Sequence, residues 1–213
     1  TDLGIIVLNP AFTVTGSIID DTGAPLSGID MNAIDAQGIP ADLFNDDSDV
    51  NGNFSVLFPA GTWNAGLRSV DPTATQEWVP HTFPLMVVDG PLDLGTTQML
   101  PGYHFIGEVQ DSIGNWVEGA DLDAEHSATG IPITVNNDTT DINGRFDVLL
   151  PIGSLLLEID PPLLGPVLQT VIVPLGVVAG APVDLGIIVL PDGVLLSGRC
   201  IDSTGVPVGL VDV

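Results

Sequence analysis

A period of 91 residues runs through this chain of 213 residues and constrains its fold more than any other feature. The tripeptide Asp-Leu-Gly begins at Asp2, Asp93 and Asp184, and the same step relates four further sets of positions. These sets are Gly16, Gly107 and Gly198; Asp20, Asp111 and Asp202; Gly23, Gly114 and Gly205; and Asp30, Asp121 and Asp212. A repeat of this length has the size of an ordinary domain, so a tandem array of one module is predicted.

The repeat divides the chain into two complete modules and two partial ones. The complete modules are residues 11–101 and 102–192. Residues 1–10 are predicted to hold the last strand of a preceding repeat, and residues 193–213 the first strands of a truncated third repeat. A processed chain or a segment of a longer array would both have this organisation.

Each module is predicted to consist of β-strands. At the start of the first module, Phe12, Val14 and Ile18 alternate with polar residues, which is the period of a half-buried strand. The 25 glycines and 18 prolines favour short turns between strands over helices. The predicted fold is all-β, with tandem seven-stranded antiparallel Greek-key β-sandwich modules.

The turn motifs resemble a known family. The first module contains GSIIDDTGAPLSGIDM and DVNGNFSVLFPAG, and the second contains GEVQDSIGNWVEGADL and DINGRFDVLLPIG. These runs resemble the carboxypeptidase regulatory-like domain, a transthyretin-like and Ig-like β-sandwich. The pattern departs from the family at Trp116, where proline is usual, and at Leu210, where glycine is usual. The resemblance implies the fold, and it implies accessory, stalk or adhesive roles.

The charge of the chain limits its partners. There are 28 acidic residues against three basic ones, all arginine, and the formal net charge is -25. Nucleic acid is therefore a very poor partner, and an anionic membrane surface would repel the chain. The uncharged run 161–183 is interrupted by five prolines, so no membrane insertion is expected.

The acidic residues are 23 Asp and five Glu, a bias that points to cations as small partners. Aspartate forms turns and is a compact oxygen ligand for calcium. The loop from Asn45 to Gly52 contains D-x-D-x-N-G, the first half of a calcium loop, although Phe58 stands where such a loop ends in Glu. The candidate metal ligands there and in the second module are Asp46, Asp47, Asp49, Asn51, Asp138 and Asp141.

Both acidic features have a simpler interpretation. The loop needs only its Asn-Gly pair to be an acidic β-turn. A second candidate cation site, the outward row of Asp121, Asp123 and Glu125, can also be a solvated strand face.

No catalytic arrangement is predicted, and the chain is not expected to be an enzyme. The three histidines, His81, His104 and His126, do not recur between the modules. No segment resembles a nucleophile elbow. No catalytic residue and no cofactor other than calcium is therefore expected.

Several segments are apolar on both faces, which suggests that something covers them. They are Ile5–Leu8, Val171–Val173 and Ile187–Leu190, whereas the middle copy of the last strand, Thr96–Leu100, is more polar. In a two-sheet sandwich such strands need a neighbouring module or another chain. Strand addition at the partial repeats would bring another chain against these strands.

The predicted function is structural: an extracellular filament, fibre or cell-surface stalk whose partners are copies of itself. The modules follow one another almost without linkers, at Pro10 and Pro101, which favours a stiff rod. One alternative is a carbohydrate- or protein-binding accessory region of a secreted hydrolase or adhesin, which predicts exposed aromatic residues on one face. Another is a halophilic protein whose acidity retains hydration.

Overall fold

The computed structural model describes residues 10–70, 76–87, 90–176, 182–194 and 198–208. Within these ranges the chain forms fourteen β-strands and no helix. The predicted strand in residues 1–10 therefore lies outside the described residues, apart from Pro10.

The first module, module 1, is a sandwich of two three-stranded sheets. Its strands are β1 (Ala11–Ile19), β2 (Ile29–Ile34), β3 (Asn53–Pro59), β4 (Gly61–Ser69), β6 (His81–Val87) and β7 (Leu92–Gln98), and β5 (Glu77–Trp78) lies between β4 and β6 in the chain. Sheet A has the order β3-β1-β7 and sheet B the order β2-β4-β6. The two sheets bury one core between them, with Val14 and Phe58 from sheet A and Met31 and Leu67 from sheet B.

The second module, module 2, repeats this arrangement. Its strands are β8 (Pro101–Asp111), β9 (Asp121–His126), β10 (Pro132–Ile133), β11 (Arg145–Pro151), β12 (Leu155–Asp160), β13 (Val171–Leu175) and β14 (Val183–Leu190). Sheet C has the order β11-β8-β14 and sheet D the order β10-β9-β12-β13. Val109 and Leu150 from sheet C meet Leu122 and Leu157 from sheet D in a separate core.

The prediction of an all-β chain of tandem sandwiches is confirmed, with two differences in detail. The last strand of each module pairs in parallel with the first strand, β7 with β1 and β14 with β8, whereas the other strand pairs are antiparallel. The last strand reaches the first by crossing from the opposite sheet, so no hairpin forces an antiparallel pair. The two sheets of module 1 hold six strands rather than seven, because β5 pairs with β8 of module 2 and the counterpart of β10 is reduced to a bridge between Ile34 and Pro40.

The repeated Asp-Leu-Gly tripeptide forms the irregularity in this parallel pairing. In β7, Asp93 Oδ1 accepts a hydrogen bond from the Gly95 amide at 2.9 Å, and Gly95 has a φ of 69°. The Gly95 carbonyl then lies close to Gly16 on β1, where an added Cβ would be 3.1 Å from that oxygen and 2.5 Å from Phe54. This close approach requires the repeated glycine at 16, and Gly107 occupies the same environment in module 2.

The repeated Asp-x-x-Gly turn follows the first strand of each module. Asp20 Oδ1 accepts hydrogen bonds from the amides of Thr22 and Ala24, both at 2.8 Å. The hydroxyl of Thr22 donates to the same oxygen and is the main reason that the pKa of Asp20 is lowered. Asp111 and Asp202 accept equivalent amide hydrogen bonds, so the same turn occurs three times along the chain.

Candidate functional site at the joints between modules

Modules 1 and 2 meet where residues 77–79 pair with residues 100–102 through their backbones. We call this region the first joint. Only Met99 and Leu100 separate β7 from β8. Strand β5, which precedes β6 in module 1, pairs with the start of β8, with Glu77 opposite Gly102 and Trp78 opposite Pro101. The amide of buried Val79 donates to the Leu100 carbonyl at 2.9 Å. A short segment of module 1 therefore extends a sheet of module 2.

The same pairing occurs where module 2 meets residues 191–193, at the start of the predicted third repeat, and we call this the second joint. Leu168 forms a bridge with Asp192, the Gln169 amide donates to the Pro191 carbonyl at 2.8 Å, and the Gly193 amide donates to the Val167 carbonyl at 2.7 Å. Residues 167–169 thus take the place of 77–79, and 191–193 take the place of 100–102. Two successive joints share one backbone geometry.

Side chains also connect the two sides of each joint. Gln76 Nε2 donates to the Gly102 carbonyl at 3.1 Å in the first joint, and Gln169 Nε2 donates to the Asp192 carbonyl at 2.6 Å in the second. The hydroxyl oxygens of Thr82 in module 1 and Thr134 in module 2 lie 3.0 Å apart. Each joint is therefore held by side-chain as well as backbone hydrogen bonds.

The first joint contains a group of three ionisable side chains. The second joint has the uncharged Val167 at the position of one of them, Glu77. His104 Nδ1 on β8 lies 2.6 Å from Asp147 Oδ1 on β11, and His104 Nε2 lies 3.4 Å from Glu77 Oε2 on β5. Glu77 belongs to module 1, so the imidazole connects the two modules. We call these three side chains the clasp. The hydrogen bond with Asp147, followed by the charges of Asp147 and Glu77, raises the pKa of His104 against the opposing effect of burial.

The predicted calcium loop is organised by backbone hydrogen bonds. Asp49 Oδ1 accepts the amides of Asn51 and Asn53 at 2.8 and 2.9 Å. In module 2, Asp141 Oδ1 accepts the amides of Asn143 and Arg145 at the same two distances. The bond from the Arg145 amide is the main cause of the lowered pKa of Asp141. Asp49 and Asp141 therefore act as turn caps.

The other candidate ligands are positioned through their backbones. The carbonyl of Asp46 accepts the Met31 amide at 3.1 Å, and that of Asp138 accepts the Leu122 amide at 2.6 Å. Asp47 forms a backbone bridge with Asp30. Within the described ranges, no group of three or more His, Cys, Asp or Glu residues is arranged to hold a metal ion. Calcium binding at Asp46, Asp47, Asp49, Asn51, Asp138 and Asp141 stays a prediction from the sequence.

Two buried hydroxyl groups in these loops were not anticipated from the sequence. Ser48 Oγ donates to the Leu26 carbonyl at 2.7 Å and accepts the Ile29 amide at 3.0 Å. Thr140 Oγ1 likewise donates to the Val117 carbonyl at 2.7 Å and accepts the Ala120 amide at 2.9 Å. The signal that could have revealed them is a hydroxyl residue directly before the turn-capping Asp in both modules.

The acidic row on β9 continues onto the neighbouring strand. Asp123 lies opposite Glu158 and Asp121 lies opposite Asp160 in the pairing of β9 with β12. Desolvation, then the charges of nearby carboxylates, raises the pKa of Asp121 and that of Glu158. The row is a strip of mutually repelling groups on sheet D.

Comparison with known proteins finds similarity among solved structures. No protein-family model matches this chain, and no curated protein matches it. The chain is similar to the Bacillus anthracis TIE protein, with 12% identity and a TM-score of 0.38 over 85% of this chain and 34% of that one. It is similar to a streptococcal ancillary pilin, with 16% identity and a TM-score of 0.33 over 86% of this chain and 62% of that one.

A third similar structure is GBS52, the minor pilin of Streptococcus agalactiae. Identity is 11% and the TM-score is 0.36, over 89% of this chain and all of that one. The chain therefore spans about one third of the TIE protein's length and less than two thirds of the ancillary pilin's.

The last strand of module 2 carries apolar residues on both faces, as the sequence predicts. On β14, Ile188 and Leu190 point into the core, whereas Ile187 is 55% exposed and Val189 is 48% exposed. Ile172 on β13 is exposed to the same degree as Ile187. The described ranges contain no helix that is long and apolar enough to span a membrane.

The aromatic residues form no common surface in the described ranges. Trp63 and Trp78 pack against the core of module 1, while Phe44 and Trp116 are exposed in different modules.

Proposed function

We propose that this chain is a structural segment of an extracellular filament, fibre or cell-surface stalk, in which β-sandwich modules follow one another in series. The observation that carries the proposal is the repetition of one backbone pairing at both joints. A repeated joint gives successive modules the same relative placement, which is what a regular linear array needs. The resemblance of the turn motifs to carboxypeptidase regulatory-like domains supports stalk or adhesive use.

Self-association of copies is part of the same proposal. The exposed apolar residues Ile187 and Val189 lie on β14, which is an edge strand of sheet C. Exposed apolar edge strands are suited to strand addition or to lateral packing. The chain's strong negative charge keeps such an array soluble while limiting association to uncharged faces.

Negative-stain electron microscopy of the purified chain tests the proposal. One sample is prepared with calcium and another with a chelator. We expect fibres with an axial spacing of one or two modules. Loss of fibres on chelation would support the predicted calcium loop. Fibres in both conditions would show that assembly does not require calcium. Dispersed two-module particles in both conditions would contradict self-assembly and favour an accessory region of a secreted hydrolase or adhesin.

Small-angle X-ray scattering tests the stiffness of the joint. Inserting Gly-Ser-Gly-Ser between Leu100 and Pro101 interrupts the direct passage from module 1 to module 2. We expect this variant to sample a broader range of maximum dimensions than the unaltered chain. The control is the same insertion between Gln37 and Gly38, in an exposed turn away from the joints. Equal scattering from both insertions would show that the joint does not restrain the modules.

A further inference from the structure

We propose that the clasp makes the first joint sensitive to pH, so that modules 1 and 2 are held together most firmly in mildly acidic solution and less firmly above neutrality. This inference concerns one joint of the single chain. It is therefore independent of whether the chain assembles into filaments.

The placement of the three side chains is the basis of the proposal. His104 and Asp147 both belong to sheet C, so their contact lies within module 2. Glu77 belongs to β5, which module 1 contributes to the joint. One ring therefore contacts a carboxylate on each side of the joint, and its charge changes the attraction between the modules directly.

The charges around the ring determine the direction of the effect. A protonated His104 lies between two carboxylates and attracts both. A neutral imidazole leaves Glu77 and Asp147 as like charges facing the same ring, which favours separation. The cleft is also lined by Arg68 from β4, whose guanidinium is already paired with Asp30 on β2 at 2.8 Å, and by the neutral Asn136 and Asn137.

The sign of the pH dependence follows from the shift in the pKa of His104. Its pKa is raised above the ordinary value of 6.5, chiefly by the hydrogen bond with Asp147, which lies within module 2 and persists when the joint opens. The charge of Glu77 raises the pKa further only in the closed joint. The stabilisation of the closed joint is therefore present while His104 is protonated and is lost as pH rises through the pKa of the closed joint. His104 is 39% exposed and Glu77 is 46% exposed, so solvent screens the attraction.

The second joint provides a control within the same molecule. It has the same backbone pairing, but Val167 occupies the position of Glu77 and carries no charge. Its hydrogen bonds should respond to pH only through the general chemistry of amide exchange.

Hydrogen exchange measured by mass spectrometry on the full chain tests the proposal. The protection of the Val79 amide in the first joint is compared with that of the Gln169 amide in the second, at pH 5.5 and pH 8.0. We expect the ratio of protection, corrected for intrinsic exchange, to fall about two- to five-fold over this range in the unaltered chain. We expect a constant ratio in both E77Q and H104Q.

Two further measurements separate the clasp from a general structural effect. His126→Gln removes a histidine that lines a different cleft between the modules and should leave the fall in the ratio intact. The NMR titration of the His104 ring should move to lower pH in E77Q. A ratio that is constant with pH in the unaltered chain, or a fall that persists in E77Q or H104Q, would overturn the proposal.

Discussion

Modules 1 and 2 differ most clearly at one pair of facing positions on sheets B and D. In module 1, Asp30 on β2 lies opposite Arg68 on β4, with Asp30 Oδ2 and Arg68 Nε 2.8 Å apart. In module 2, Asp121 on β9 lies opposite Asp160 on β12 at the corresponding position. The same pair of positions therefore attracts in one module and repels in the other.

The neighbouring pair is uncharged in module 1 and repelling in module 2. Asn32 faces Gly66 in module 1, whereas Asp123 faces Glu158 in module 2. Both modules nevertheless keep the same strand order along β2-β4-β6 and β9-β12-β13. Cross-strand pairs on an outer face contribute a fraction of a kcal/mol to about 1 kcal/mol each, so they adjust stability without selecting the fold. The inward residues and the turns select it.

The strongest test of this comparison truncates one matched core residue in each module. Met31 in module 1 and Leu122 in module 2 are both fully buried at corresponding positions. M31A and L122A should each lower the free energy of unfolding of their own module by about 2–5 kcal/mol, because each leaves a cavity. Hydrogen exchange should show lost protection in the altered module. Equal loss in both modules would show that the two cores unfold as one unit.

Removing a buried hydroxyl group tests whether the two loops are held in the same way. S48A in module 1 and T140V in module 2 should each lower the free energy of unfolding by about 1–3 kcal/mol, since each leaves a buried amide and a buried carbonyl without a partner. Thr140→Ser keeps the hydroxyl and is the control. Denaturant titration measures the effect. If T140V and T140S were equally stable, the hydroxyl would have no structural role.

Exchanging charges on the outer faces should make the pair in module 1 repel and the pair in module 2 attract. The expected changes in stability are smaller than those of the preceding variants. D160R would place a guanidinium opposite Asp121, and R68D would place two carboxylates opposite each other in module 1. We expect module 2 to gain and module 1 to lose about 0.2–1 kcal/mol in thermal unfolding at low salt. Both effects should shrink at high salt. Changes of the same sign in both modules would contradict the electrostatic explanation.

The smallest expected effect is the pH dependence of the acidic row. The pKa values of Asp121 and Glu158 are raised above 3.8 and 4.5, their ordinary values. Their contribution to stability is therefore present below those values and is lost as pH rises through the raised ones. The double variant D121N/E158Q should lose this part of the pH dependence of stability, which begins above the ordinary pKa values of 3.8 and 4.5 and is measured by thermal unfolding. An unchanged slope would show that the repulsion is fully screened.

The residues that alternate along the strands, and the Asp and Gly residues of the turns, were sufficient to predict an all-β chain of sandwiches. The alternation at Val14 and Ile18 places their side chains in the core, as expected. The aspartates at 20, 111 and 202 cap the turns that their spacing suggested. These features are local, because a strand's period and a turn's hydrogen bonds depend on residues that are close in sequence.

The candidate site at the joints was not predictable in the same way. His104 seemed uninformative because no histidine recurs at the corresponding position, where module 1 has Thr13. Its two partners are Glu77, 27 positions before it, and Asp147, 43 positions after it. Nothing in the residues around any of the three indicates that they meet.

The sequence by itself determined the period, the strands and the turn chemistry of this protein. Tertiary structure decided that the last strand runs parallel to the first, that β5 joins the sheet of the following module, and that His104 lies between Glu77 and Asp147. The physical reason is that these contacts join segments far apart in the chain. Their register follows from how the two sheets pack around each core, and no local pattern of residues encodes that packing.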